Sequence, residues 1–307
     1  MRKVLILGGG DGIGGLILAF QCAEFVKNHR GFDVTVGISA EQEQFYVLDW
    51  LFRDRFKIQY YPVNISSNHQ LLRDPSLLES LWKGFDEAYY VCPDLTFKNP
   101  YSFDYRRYRT HPKTIVSTRL LTHKYKPNGK NIIYLALNST TPGYTYQDVG
   151  GLAVELAKNI PNYEIYLPVL TKWNNKSIPP VVFNEKPDNL VVEYDQDVEH
   201  SLNKLKTAQY CICLDNGFSQ ISHQLGQNRL LLDPHLFQNP NPYPWAVRWR
   251  PDITDSICIS TPINDIVNIV KANLFEPLTS LLPKSTVNGI IKQNPNVDWN
   301  KLLLIKN

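Results

Sequence analysis

An α/β chain made of two Rossmann-like, open parallel-sheet domains is predicted by three observations. Short apolar runs alternate with stretches of helical spacing, two of those runs end in Gly- or Asp-containing turns that open directly into a helix, and the alternation begins afresh after Lys126-Pro127-Asn128-Gly129-Lys130. A length of 307 residues suits two domains of ~150 residues each. The expected division is 1–126, 127–275 and a weakly patterned closing segment, 276–307, that could cross back to the first domain.

In the first domain, Lys3 to Leu7 is a buried strand that ends in glycines, and Leu16, Ile17 and Phe20 begin the helix that follows. Val34 to Ile38 reads as the second strand, Glu41 to Phe52 as a helix, Lys57 to Val63 as the third strand and Ala88 to Cys92 as the fourth. Asp74-Pro75 supplies a cap and first-turn proline for a helix reaching about Trp82. The second domain opens on the strand Asn131 to Leu137, followed by helical spacing from Val149 to Ile160 and a strand from Ile165 to Leu170. Val191 to Glu193, a helix from Val198 to Lys206, the strand Tyr210 to Leu214, a helix from Phe218 to Leu225 and the strand Arg229 to Leu232 continue it. A last strand around Ile257 to Ser260 and a helix from Asn264 to Phe275 close the alternation.

Thirty-two Lys and Arg against 29 Asp and Glu leave a net charge of +3, too little for the whole-surface basic field of a nucleic-acid binder. Basic residues nevertheless concentrate between Tyr105 and Gln147, where no acidic residue falls; this linker could meet a phosphate or an acidic acceptor, or simply be a solvated surface. The 5 scattered cysteines include no CxxC pair, which argues against a disulfide framework or zinc site and for a reducing, cytoplasmic setting. No transmembrane run is present in the sequence, although peripheral membrane contact stays open.

Two turns carry candidate chemistry. Gly10-Asp11-Gly12-Ile13-Gly14-Gly15 satisfies GxGxxG between a strand and a helix, the context of a dinucleotide fingerprint, while a purely structural glycine turn fits equally well. Asp215-Asn216-Gly217-Phe218-Ser219-Gln220 leaves a buried strand and enters a helix, so the amides of Gly217 to Gln220 would face a phosphate, aided by the helix dipole. In the bland reading, Asp215 or Ser219 only caps the helix. Lys172 follows a strand of the second domain, at the end of the sheet where ligands bind, and Tyr194 is positioned to stack on a base. Asp195-Gln196-Asp197 is the nearest approach to a metal motif and serves equally as the cap of the next helix; no metal site is expected. His223 is expected one turn beyond Ser219, behind the site.

The segment from Asp215 through Leu225-Gly226, with its following strand, resembles the donor-site segment of glycosyltransferase family 9, the heptosyltransferase-like enzymes, whose pattern is Asp-Ser/Thr-Gly-Pro-x-His with a downstream Ala-Leu-Gly. Ile132 to Ile160, with Ser139-Thr140-Thr141 in its loop, is similar to another part of that family's C-terminal domain, and Gly12 to Ala19 is similar to its N-terminal opening. About half the chain is touched. The resemblance implies a GT-B fold, two Rossmann-like domains facing a cleft, and transfer of a sugar from a nucleoside-diphosphate sugar to a glycan or glycolipid acceptor.

Inversion at the anomeric carbon, no required metal and no cofactor beyond the co-substrate are implied with it. Donor binding would fall to Ser139, Thr140, Thr141, Lys172, Tyr194, Asp215, Asn216, Gly217, Phe218, Ser219 and Gln220, and the acceptor-side loop to Gly12, Gly14 and Gly15. Two departures matter. Gly15 stands where the family has its acidic residue, and Gln220 where it has its His, so Asp11 is the candidate base in its place. The rival classes are an NAD(P)-dependent oxidoreductase using Gly10, Gly12, Gly15 and Glu41, and a catalytically lapsed sugar-binding protein.

Overall fold

The computed structural model describes residues 1–8, 13–39, 42–61, 80–81, 83–91, 131–137, 146–173, 176–214, 216–233 and 254–275. The chain divides into two compact units, Met1–Leu121 and Thr122–Asn307. The expected connection at 126/127, the basic residues of the linker, nearly all of the helix expected after Asp74 and the closing segment 276–307 lie outside the described residues.

Unit 1 holds four parallel strands, β1 (Lys3–Gly8), β2 (Asp33–Ser39), β3 (Lys57–Tyr61) and β4 (Glu87–Val91), in the order β3-β2-β1-β4. Helices α1 (Ile13–Arg30) and α2 (Gln42–Phe52) connect the first three. The core is apolar where α1 meets the sheet: Leu16, Ala19, Phe20 and Ala23 are fully buried, and the Phe20 ring stacks on Phe52 of α2 at 4.0 Å between centroids. A Cβ on Gly8 would lie 2.9 Å from that of Ala19, so the glycine at the end of β1 lets α1 lie close against the strand. Beside this core, the Glu24 carboxylate accepts from Asn28 and from the Arg55 guanidinium. Burial opposes its ionisation, but those hydrogen bonds outweigh burial and hold the carboxyl below its ordinary range.

Unit 2 contains a six-stranded parallel sheet of order β12-β11-β10-β5-β6-β9. The strands are β5 (Ile132–Ala136), β6 (Glu164–Val169), β9 (Leu190–Tyr194), β10 (Tyr210–Leu214), β11 (Asn228–Asp233) and β12 (Thr254–Cys258). Helices α3 (Val149–Asn159), α4 (Val198–Thr207), α5 (Gly217–Leu225) and α6 (Ile263–Phe275) alternate with them. Counted from β5, this is the complete doubly wound order, whose direction of winding reverses between β5 and β10. Leu135, Ile212, Leu230 and Leu232 point to one face, into a core closed by α3 and α6. Tyr134 and Tyr166 point to the other, their rings 5.3 Å apart, with Tyr134 stacked on Phe218 of α5 at 5.9 Å.

Among the described residues the elements agree with the sequence reading to within a few residues at their ends, except at two places. The last strand lies at Thr254–Cys258 rather than around Ile257 to Ser260: β12 is an edge, where Thr254 pairs with Arg229 and Cys258 with Asp233, and an edge strand needs no continuous apolar run. Two short strands, β7 (Lys172–Trp173) and β8 (Lys176–Ser177), form an antiparallel hairpin that the sequence did not announce. The chain then runs alongside α3, where Val181 and Phe183 pack against the core and the Val182 carbonyl lies where a Cβ on Gly150 would sit, 1.9 Å from that position. Gly150 therefore marks a close approach of backbone to helix, which only a missing side chain permits.

Candidate functional site

The reversal between β5 and β10 is where open α/β sheets accept ligands, beyond the carboxyl ends of the strands. In sequence, Ser139, Thr140 and Thr141 follow β5 and Asp215 follows β10. Those four residues lie outside the described residues, as do Asp11 and Gly12; Gly14 and Gly15 fall in the first turn of α1. Past Asp215 the chain turns directly into α5.

The helix cap is Asn216, not Asp215. Its Oδ1 accepts from the Ser219 amide at 3.0 Å, and the Ser219 hydroxyl accepts in return from the Asn216 amide at 3.2 Å, closing a capping box. The Asn216 Nδ2 donates to the Ala136 carbonyl at 3.1 Å, tying the exit of β10 to the last residue of β5. The Gln220 amide donates to the Asn216 carbonyl at 3.2 Å. Two of the four amides expected to face a phosphate, those of Ser219 and Gln220, thus have internal partners, while those of Gly217 and Phe218 have none among the described residues. Ser219 itself is fully buried, and its hydroxyl completes the box and donates to the Asn216 carbonyl at 2.7 Å. Gln220 is buried as well, with 9% of its surface exposed. At the other end, Gly226 takes φ 72°, a left-handed cap that ends α5 where Leu-Gly predicted.

Beneath α5 lies the group that sequence reasoning missed. Arg229, fully buried in β11, donates from Nη1 to the Ser219 carbonyl at 2.8 Å and from Nη2 to Nδ1 of His223 at 2.6 Å. A guanidinium only donates, so the His223 Nδ1 presents its lone pair and the neutral ring carries its proton on Nε2. The available signal was a lone Arg heading the apolar run Arg229-Leu230-Leu231-Leu232.

At the ends of β6 and β9 a second arrangement forms. Asp195, at φ 49°, accepts from the Thr171 amide at 2.8 Å and the Thr171 hydroxyl at 2.6 Å. These bonds, with Lys172 nearby, lower the Asp195 carboxyl from its ordinary value. The clamp holds two candidate donor residues at the same end of the sheet: Lys172 is exposed at the start of β7, and Tyr194 is 49% exposed at the end of β9. Asp197 caps α4 by accepting from the His200 amide at 2.6 Å, so the Asp-Gln-Asp triplet serves a clamp and a cap. Among the described residues no group of His, Cys, Asp and Glu could hold a metal ion. Behind the clamp, Glu193 accepts from the Tyr166 hydroxyl at 2.8 Å and pairs with His200 at 2.6 Å. Burial opposes the ionisation of Glu193, yet these partners hold its carboxyl below the ordinary range.

The fold is that of GT-B glycosyltransferases. Against the glycosyl transferase of family 9 from Veillonella parvula, the TM-score is 0.50 at 12% identity, covering 96% of this chain and 98% of that one. Against E. coli heptosyltransferase WaaC with ADP-2-deoxy-2-fluoro heptose it is 0.52 at 12% identity, covering 89% and 100%. The dodecameric iron-containing glycosyltransferase TibC of enterotoxigenic E. coli is similar at 15% identity and TM-score 0.47, over 75% of this chain, which spans only 58% of TibC. No family model matches the chain, and no curated protein does.

Proposed function

We propose that the protein transfers a sugar from a nucleoside-diphosphate sugar to a glycan or glycolipid acceptor, with inversion and without a metal. What supports this most is the first turn of α5 at the sheet's reversal, where the amides of Gly217 and Phe218 have no hydrogen-bond acceptor among the described residues and the helix dipole favours an anion. In this reading the departing diphosphate rests on those amides, opposite Ser139, Thr140 and Thr141, and Asp215 belongs to the same loop. Tyr194 stacks on the base and Lys172 meets a phosphate or ribose. Asp11, beside Gly12, Gly14 and Gly15, takes the proton of the acceptor hydroxyl.

The deciding experiment is a thermal-shift and calorimetric screen against UDP, GDP, ADP, CMP and NAD. One nucleoside diphosphate should raise the melting temperature, since a ligand that binds only the native state stabilises it; stabilisation by NAD alone would overturn the reading. Gly217→Val should abolish that binding while the fold persists. Asp11→Asn should lower turnover by roughly 10²–10⁴-fold with donor affinity little changed. An unchanged rate removes Asp11 from the mechanism.

A further inference from the structure

A cation with no exposed surface in the interior of a parallel sheet is expensive, and an apolar residue of similar volume is often better tolerated there. The flanking positions of β11 follow the apolar rule, with Leu230, Leu231 and Leu232 all fully buried. Arg229 departs from it, and both of its bonds described above go to one helix, at residues Ser219 and His223. These acceptors are one turn apart on the same side of α5. The fork of the guanidinium spans that turn, which a point-charge ammonium does not reproduce. On the opposite side the same turn is held by the Asn216 side-chain amide on Ala136. The first turn of α5 is therefore fixed from two sides, one anchor in β5 and one in β11.

We infer that Arg229 is a positioning residue: its two-pronged grip on the Ser219 carbonyl and on His223 sets the orientation of the α5 first turn, and so the aim of the Gly217 and Phe218 amides at a diphosphate. This rests on the diphosphate site proposed above. The geometry of the fork carries the effect, not the charge alone, because sites of this kind work only when held within about 0.5 Å of the productive arrangement.

The test compares wild type with Arg229→Lys and Arg229→Met, using inorganic pyrophosphate and uridine, guanosine, adenosine and cytidine as calorimetric probes on the full chain. Both variants should lose about tenfold or more in pyrophosphate affinity, while affinity for whichever nucleoside binds stays within about twofold. In 15N spectra His223 Nδ1 should lose its hydrogen-bonded, unprotonated signature. Full pyrophosphate affinity in Arg229→Lys, or a parallel loss of both probes, overturns the inference. If neither variant folds, the wild type decides: the Arg229 guanidinium and His223 ring resonances should shift on adding pyrophosphate, and unmoved resonances with saturable binding overturn it. A wild type that binds no pyrophosphate and no nucleoside diphosphate defeats the site itself, and the inference falls with it.

Discussion

Helices α1 and α5 each follow a strand beside the point where its sheet reverses direction, α1 the first strand of its sheet and α5 the fourth, yet they are buried by opposite means. The enclosed face of α1 is mostly apolar, with Leu16, Ile17, Ala19, Phe20, Ala23 and Val26 at 0–1% exposure. The enclosed residues of α5 are mostly polar: Ser219, Gln220, Ser222, His223 and Gln224 against Ile221 and Leu225. Burial of α1 is stabilising by itself, at about 25 cal/mol per Å² of apolar surface. Burial of α5 is offset where its polar groups meet partners such as Arg229 and Asn216, and each missing partner costs the desolvation of a buried group. A chain keeps such a helix when the position of its backbone matters more than the strength of its packing.

Substitutions that separate these two modes give the sharpest contrast. Phe20→Ala should have the largest effect, destabilising by about 3–5 kcal/mol through loss of the stack on Phe52, while nucleotide affinity per folded molecule stays unchanged. Chemical denaturation paired with calorimetry checks both halves, and a loss of affinity equal to that of a site variant would erase the distinction. Asn216→Ala should cost about 1–2 kcal/mol in stability, but it should weaken nucleotide binding by more than Phe20→Ala does, because the link to Ala136 goes with the cap.

Ser219→Ala comes next, at about 1 kcal/mol. If its effect on binding equals that of Asn216→Ala, the hydroxyl rather than the cap as a whole governs the turn. Smallest is Glu193→Gln, on the partly open side of the same sheet. The folded-state Glu193 carboxyl is lowered, so its contribution to stability is present above the ordinary carboxylate range and is lost as pH falls through the folded value. The variant should therefore melt slightly below wild type at pH 7, and the gap should close as pH is brought below about 4. A gap independent of pH would show that the pairing with Tyr166 and His200 does not depend on charge.

The contrast between α1 and α5 was half legible in the sequence. Alternating apolar runs located the strands, and Gly226 announced the end of α5, because period and turn chemistry are local signals. The span of α5 was visible as well, but the burial of Ser219 and His223 depends on β11, from a different stretch of chain. Arg229 read as one polar position in a strand, since nothing near it in sequence names Ser219 and His223 as its acceptors. Gly150 is a parallel case. A Gly pair inside a helix reads as weak propensity, and its reason, the Val182 carbonyl, arrives from 32 residues later. The sequence reading offered Asp215 or Ser219 as the cap and passed over Asn216, because Asp, Asn and Ser all cap helices well and only the backbone turn chooses among them.

The bond from Asn216 to Ala136 joins residues 80 apart in sequence, and the pairing of β10 with β5 spans a similar distance. This sets an order of events during folding. Chain 131–194 can assemble β5, β6 and β9 from neighbouring segments, but the helix that carries Gly217 and Phe218 has nothing to dock on until the later half returns to the middle of the sheet. Contacts of such long range are slow to form, because loop closure precedes any gain from them. Nucleotide binding at the proposed site should consequently be among the last properties to return on refolding, well after most secondary structure. A protein emerging from the ribosome would be unable to present the Gly217 and Phe218 amides at the sheet's reversal until β10 and α5 had been made and docked on β5.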